Sequence, residues 1–363
     1  MNQQQITTRQ AFLIMISVLS TSVLQPSFRN FLRWAGNGGW LPLTLAIVFG
    51  VAYVWLLLSL AKRFPKQSVA EYSSRVLGPI VGYPLVVLLV ATFFLRGAFA
   101  LRNMSEFFVA AILPETPISA VLIVMIVLVT YAIWSELEGI VRFNELATPL
   151  IIGSFILVFI GTTRLSIWNL LPVLNKGMHG LLPVFQSASS DLAIVSYILF
   201  IHPYLVDPQN AARVGSRHIV NAGLLLLFIY MNTVLSLGSH IGAALTWPYL
   251  VVTENIWLVE RGEALFMVIW TLAAFIKTSF CLYTAALGIS QLIPKVSLKW
   301  VGIVLIPLAS YLALIPDDLP SAVAAYVLFN KYTLFIELAI PMVILLFAIL
   351  RRMGGNSREQ TSN

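Results

Sequence analysis

Apolar residues run through this chain in ten long stretches, at about 8–31, 40–61, 80–102, 118–134, 140–161, 185–205, 219–245, 264–293, 299–316 and 332–350. About 20 helical residues cross a hydrocarbon core of about 30 Å, so each stretch predicts a transmembrane helix. The runs lack the period-two alternation of an outer-membrane barrel. The predicted class is therefore all-α integral membrane, with about ten transmembrane helices. The third helix is expected to continue to Ile112, before Pro114 and Pro117 stop it. The segment near 320–330 is too short to span and reads as an outer hairpin or a lead into the last helix.

Three connections are longer than plain hairpins. Lys62–Pro79 contains AEYSSRVLG, the pattern of a short amphipathic interface helix. Thr162–Gln186 contains LLPVLNKGMHGLLP, two short apolar pieces broken by Gly and Pro, and Trp247–Gly262 is acidic and aromatic. Residues 1–353 read as one transmembrane domain, followed by a polar tail over 354–363. Within it, 8–161 and 185–350 form two halves. An odd number of helices per half would relate them as inverted repeats, as in many secondary transporters.

Composition strengthens this reading. Hydrophobic residues make up 59% of the 363 and charged residues only 10%, against about 25% charged in an ordinary soluble domain. The net charge of +7 comes from scattered Lys and Arg and not from a basic patch of the kind nucleic acid requires. Of the 22 basic residues, 13 fall on the side of the N-terminus, seven on the other, and Arg96 and Lys277 inside helices. That bias predicts both termini in the cytoplasm. Only Arg9 precedes the first apolar run and no A-x-A-like cleavage signal follows it, so a retained first helix is expected. The single cysteine, Cys281, reads as a small core residue and excludes an intrachain disulfide or a thiolate metal cluster.

Candidate chemistry sits inside the helices. Ser20, Thr21 and Ser22 precede Pro26 in the first; their hydroxyls can bond backbone carbonyls and loosen the helix, or merely let two helices pack closely. Ser196 and Tyr197 lie deep in the sixth helix, whereas Asp191 suits a helix start at the membrane edge and His202 a structural position. Arg96, Lys277 and Glu337 are the ionisable residues of the helix interiors. Each costs at least about 2.5–3.5 kcal/mol near mid-bilayer, so each must be paired, shielded or functional. Lys277 is the deepest. Ser279 and Tyr283 follow it four residues apart on one helix face. HExxH, GxSxG and P-loop motifs are absent, which argues against an enzyme, and no cofactor is expected.

Several stretches in this order carry a family resemblance: SVLQP to GNGGWLPL, EGIVRFNELATPL, NLLPVLNKG, HPYL and FIKTSFCLYTAALGISQL. The chain resembles the B-subunit, or permease subunit, of spore germinant receptors, within the amino acid–polyamine–organocation transporter superfamily. That resemblance implies two inverted five-helix repeats with helices one and six unwound at a substrate site. The site would use Ser20, Thr21 and Ser22, Ser196 and Tyr197, and Ser279 with Tyr283, with Phe94 and Ala98 as wall residues. Where family members usually carry Gly in the first break, this chain has Leu19 and Thr21. Lys277 would take the place of the cation that sodium-coupled relatives hold between helices one and eight; the alternatives are an ion pair with Asp191 or Glu337, or a neutral Lys. The implied partners are an A-subunit membrane protein, a C-subunit lipoprotein and a small germinant such as an amino acid, at the inner spore membrane. A proton-coupled amino acid permease and a non-transporting scaffold are the competing functions.

Overall fold

The computed structural model describes residues 5–257 and 261–354, so of the expected tail only Gly354 lies among the described residues. Helices in chain order are α1 (Thr8–Ser20), α2 (Phe28–Ala35), α3 (Trp40–Ala61), α4 (Val69–Leu77), α5 (Pro79–Ala111), α6 (Ile118–Trp134) and α7 (Glu136–Gly161). The chain continues with α8 (Leu181–Ala193), α9 (Ile198–Ile201), α10 (Ala211–Ala244), α11 (Pro248–Glu254), α12 (Gly262–Leu292), α13 (Leu298–Leu314) and α14 (Leu319–Leu350). Among the described residues β pairing is confined to two isolated bridges. Seven helical segments are long and apolar enough to cross a membrane, and the bent pair Thr8–Leu24 with Phe28–Gly38 makes eight. The apolar α6 and α13 are shorter, at 17 residues each. This is a multi-pass membrane protein.

Several expected elements sit where the pattern put them. The third apolar run continues as α5 to Ala111, and residues 320–330 form the first turns of α14. The segment AEYSSRVLG folds as α4, opened by a capping box between Ser68 and Glu71. Its Val69, Tyr72, Ser73 and Val76 are buried at positions i, i+3, i+4 and i+7, one face laid on the bundle. One helix bends unexpectedly: α10 kinks at Gly238, whose φ of +72° favours a residue without Cβ.

The first helix breaks as its hydroxyls suggest. Ser20 Oγ donates to the Ser17 carbonyl at 2.8 Å and Thr21 Oγ1 to the Val18 carbonyl at 2.7 Å. Such back-bonding competes with the α ladder, and at Thr21 the α-helix gives way to a 3₁₀ turn over Thr21–Leu24. Pro26 follows without an amide hydrogen, and the chain turns by 68° into α2. Helix six departs from the unwound form the resemblance implied. After α8 it tightens into 3₁₀ geometry over Ile194–Tyr197 and resumes as α9, with helical dihedrals throughout. Its Pro183 sits in the first turn, where no intrahelical bond is lost, and no further proline follows before Pro203, so Leu181–Tyr204 remains one segment.

Helices one and six form the centre. Eleven of the thirteen residues of α1 are buried. In the most apolar 18 residues of Leu181–Tyr204 83% are buried, against 39–61% in the same stretch of the other six. The face bearing the N-terminus, termed proximal here, is closed by a strap. Ile6 pairs through its amide and carbonyl with Tyr204 and Val206 at 3.1 and 3.0 Å. Thr8 donates its amide to Asp207 Oδ1 at 2.7 Å and its hydroxyl to the Asp207 carbonyl at 2.8 Å.

At mid-bundle the helices are tied by one ion pair. Arg96 of α5 forks onto Glu337 of α14, with Nη2 to Oε2 at 2.9 Å and Nε to Oε1 at 3.1 Å. Arg96 Nη2 also donates to the Ser190 carbonyl of α8 at 2.8 Å, and Thr92 Oγ1 reaches Glu337 Oε1 at 3.3 Å. Tyr53 of α3 donates to the Glu337 carbonyl. Four helices thus meet on two side chains that are 3% and 0% exposed. Of the ways open to a buried charge in a helix interior, Arg96 and Glu337 take pairing with each other. Arg96→Met would strand the carboxylate and is expected to cost about 3–5 kcal/mol, with the double variant Arg96→Met/Glu337→Met recovering more than half of it. Thermal unfolding of the purified variants measures both. Equal loss in single and double variants would deny the pairing.

Candidate functional site

With Arg96 and Glu337 satisfying each other, two buried charges remain at the centre. Asp191, read from sequence as a membrane-edge residue, is only 5% exposed in α8. Ser22, in the 3₁₀ turn of helix one, donates to its Oδ2 at 3.4 Å, and Tyr326 of α14 to its Oδ1 at 3.1 Å. The sequence signal for Asp191 was present in its flanking Ser189 and Ser190, but the start of the helix was set four residues late. That placed the carboxylate nearer the surface than it is.

Lys277 of α12 is also 5% exposed. Among the described residues it makes no hydrogen bond and no ion pair within 4.0 Å. Its strongest electrostatic partner is the Asp191 carboxylate. A pair with Glu337 is excluded by the Arg96 fork. It makes no bond to Ser20, whose hydroxyl, like that of Thr278, gives its hydrogen to a carbonyl of its own helix.

The hydroxyl residues of helix one are brought to this centre. Ser20, Thr21 and Ser22 are all buried, and the Thr21 carbonyl accepts from Trp270 Nε1 at 3.3 Å. Trp270, which sequence reading missed, lies seven residues before Lys277, two turns along the same face of α12.

Other predicted residues point elsewhere. Ser279 is two residues, or about 200°, around α12 from Lys277, and Tyr283 shares its face. Both are buried, with Ser279 Oγ unpartnered, but they lie across the helix from the ammonium. Phe94 and Ala98 occupy the face of α5 opposite the one carrying Thr92, Arg96 and Phe99 to α14. The wall they were expected to form lies away from the Arg96–Glu337 pair. Tyr197 spends its hydroxyl on the Ala11 carbonyl at 2.7 Å and its ring edge-on to Phe280, which fastens helix six to α1 and α12. Ser196 is buried with an unpartnered Oγ.

A cavity opens on the distal face, above the bend of helix one. Gln25 and Pro26 of the bend, Phe99, Asn103 and Glu106 of α5, and Tyr326 of α14 line it. Its volume of about 30 Å³ is room for water and not for an amino acid. Tyr326 forms part of its lining and reaches Asp191 with its hydroxyl, so the carboxylate lies one side chain below the cavity. Among the described residues no group of His, Cys, Asp and Glu could hold a metal ion.

The fold recurs in solved transporters. The closed form of MHP1, a nucleobase-cation-symport-1 family transporter with bromovinylhydantoin bound, aligns with a TM-score of 0.70 at 14% identity, covering 96% of this chain and 80% of that one. MhsT in complex with L-phenylalanine aligns with a TM-score of 0.67 at 15% identity, covering 96% and 90%. At such identities the likeness is one of fold. Sequence relatives include spore germination protein YndE of Bacillus subtilis (strain 168), 24% identical over 96% of this chain and 98% of that protein. Another is spore germination protein GerLB of Bacillus cereus, 26% identical over 88% of each. These relatives are germination proteins and the structural neighbours transporters; neither group consists of enzymes. The sequence model of the spore permease family, described as spore germination protein, matches residues 5–322, and this chain belongs to that family.

Proposed function

We propose that this protein is the permease-type membrane subunit of a spore germinant receptor, binding a small germinant such as an amino acid and triggering germination. The observation that carries this reading is the family match over residues 5–322 on a chain whose first helix breaks beside a buried carboxylate, below a distal cavity. In this reading α6 and α13 also span, giving ten helices in two inverted sets of five. The proximal face is cytoplasmic, the distal cavity faces the germinant, and the chain sits in the inner spore membrane.

Binding and uptake measured side by side in liposomes test the reading. Binding without uptake supports a sensor, and uptake identifies a permease. In spores, Thr21→Gly and Ser22→Leu should shift the germinant concentration for half-maximal response at least tenfold at normal membrane levels. Wild-type responses from both would remove the pocket from this place.

Lys277 supplies a fixed positive charge where a sodium-coupled transporter binds its cation. Solute binding is therefore expected to be unchanged when sodium is replaced by choline; a sodium requirement in the wild type would refute this role.

The partners in this reading are an A-subunit membrane protein and a C-subunit lipoprotein. The distal loop before α8 is pinned to its own chain: Asn169 Nδ2 donates to the Leu235 carbonyl at 2.9 Å and Asn175 Nδ2 to Ser239 Oγ at 3.1 Å. It nevertheless exposes Ile167, Trp168, Leu171 and Met178, more apolar surface than a solvated loop needs. Trp168→Glu combined with Leu171→Glu should cut recovery of the A-subunit on co-purification more than fivefold. Undiminished recovery would leave the loop only its contact with its own chain.

A further inference from the structure

We propose that Asp191 and Lys277 clamp a zwitterion, the carboxylate of Asp191 taking a ligand's ammonium and the ammonium of Lys277 its carboxylate. This rests on the receptor reading and specifies what the site recognises. The argument starts from the four charges at the centre. Arg96 and Glu337 meet through a two-bond fork, and Arg96 Nη2 also donates to the Ser190 carbonyl. The charges of this pair are thus answered within the protein.

Asp191 and Lys277 differ from that pair. A carboxylate offers about four acceptor positions and an ammonium three donors. Asp191 receives only the hydroxyls of Ser22 and Tyr326. Lys277 donates to nothing among the described residues, although it is 5% exposed. The 3₁₀ turn of helix one links them: Ser22 reaches Asp191 at 3.4 Å, and the adjacent Thr21 carbonyl takes Trp270, two turns from Lys277 on the same face of α12. The two charges make no ion pair within 4.0 Å among the described residues. Opposite charges held near one another, both buried and both short of hydrogen bonds, are complementary to a molecule that carries both charges itself. A singly charged ligand would neutralise one and leave the other buried and alone, and a neutral ligand would leave both.

The surroundings favour side-chain over backbone recognition. The hydroxyls of Ser20 and Thr21 give their hydrogens to their own helix, so neither has a donor left for a ligand carboxylate, and the Thr21 carbonyl already accepts from Trp270. Tyr326 stands between the distal cavity and Asp191. A ligand amine arriving from the cavity would displace the tyrosine hydroxyl from the carboxylate, and the phenol ring would close over it.

The test uses purified protein in lipid nanodiscs, with thermal shift and radioligand binding over the twenty α-amino acids. The tightest of them is then compared with its amide, which keeps only the positive charge, and with the α-hydroxy acid of the same side chain, which keeps only the negative one. Both analogues should bind at least tenfold more weakly. Asp191→Asn and Lys277→Gln should each weaken amino acid binding at least tenfold. Asp191→Asn should bind the hydroxy acid no more weakly than wild type does, and Lys277→Gln likewise the amide. Asp191→Glu and Lys277→Arg, with unchanged elution on size exclusion, guard against misfolding by retaining part of the affinity. Wild-type affinity in Asp191→Asn or Lys277→Gln would reduce the two residues to an internal water-bridged pair and overturn the clamp. Equal binding of either half-charged analogue would also overturn it. A nucleoside or sugar that binds wild type and not Ser22→Leu would overturn the clamp and leave the receptor reading standing. If no probe of any class binds and Ser22→Leu spores germinate normally, both fall.

Discussion

A charge in a bilayer must be answered within the protein, and the architecture here depends on how four such charges are answered. Arg96 and Glu337 settle one pair completely. Their fork, with Thr92, Ser190 and Tyr53 around it, fixes α3, α5, α8 and α14 at one level of the bundle. Arg suits this position because its planar guanidinium meets a carboxylate with two parallel bonds while keeping a donor for the Ser190 carbonyl. Because those four helices are fixed together, the short stretch of helix one between them can bend without the bundle losing its register.

That bend was the most legible local feature of the sequence. Ser20 and Thr21 return their hydroxyls to carbonyls three residues back, and Pro26 closes the ladder. Helix six carried a similar run of serines but no proline between them and Pro203, its Pro183 lying in the first turn, and it tightened without opening. Hydroxyls alone weaken a helix; the missing amide of a proline is what turns it. The ten apolar runs marked nearly every long helix, because lipid demands an apolar length that polar loops cannot mimic. Their edges were less legible. Polar residues such as Gln186–Ser190 read as a boundary but are interior to α8, where Arg96 and the central packing shelter them.

The candidate site was legible in outline and not in detail. Sequence singled out Lys277 and the hydroxyls of helix one. It named Asp191 only as a possible ion-pair partner and set it at the membrane edge, and it missed Trp270 and Tyr326; the roles of all three come from partners 135 to 249 residues away. Ser279 and Tyr283 were grouped with Lys277 by proximity in sequence. The helix turns about 100° per residue, so two residues are enough to send Ser279 to the far side. The same rotation removed Phe94 and Ala98 from the face of α5 that meets α14. Spacing within one helix fixes which residues share a face; which face looks inward is decided by helices the spacing does not describe.

The two ends of the central helices are closed unequally, and that asymmetry bears on how a solute would enter. The proximal closure joins Ile6 and Thr8 to Tyr204, Val206 and Asp207 through four hydrogen bonds, reinforced by Gln10 to Glu145 at 3.0 Å. Directly over Asp191 the distal side has one tyrosine hydroxyl and the edge-on contact of its ring with Phe99. Farther out, Arg33 ties α2 to the Ala243 carbonyl at 2.8 Å and the Asn37 amide donates to Asn175 Oδ1 at 3.0 Å. At a net of about 0.5–1.5 kcal/mol per hydrogen bond, opening the proximal side costs several times what displacing Tyr326 does. A ligand amine would also replace the bond that Tyr326 gives up, so the distal opening is compensated as the site fills. Nothing in the ligand would repay the strap. A solute would thus reach the carboxylate from the distal side with the strap intact, and release through the strap would need a second source of energy.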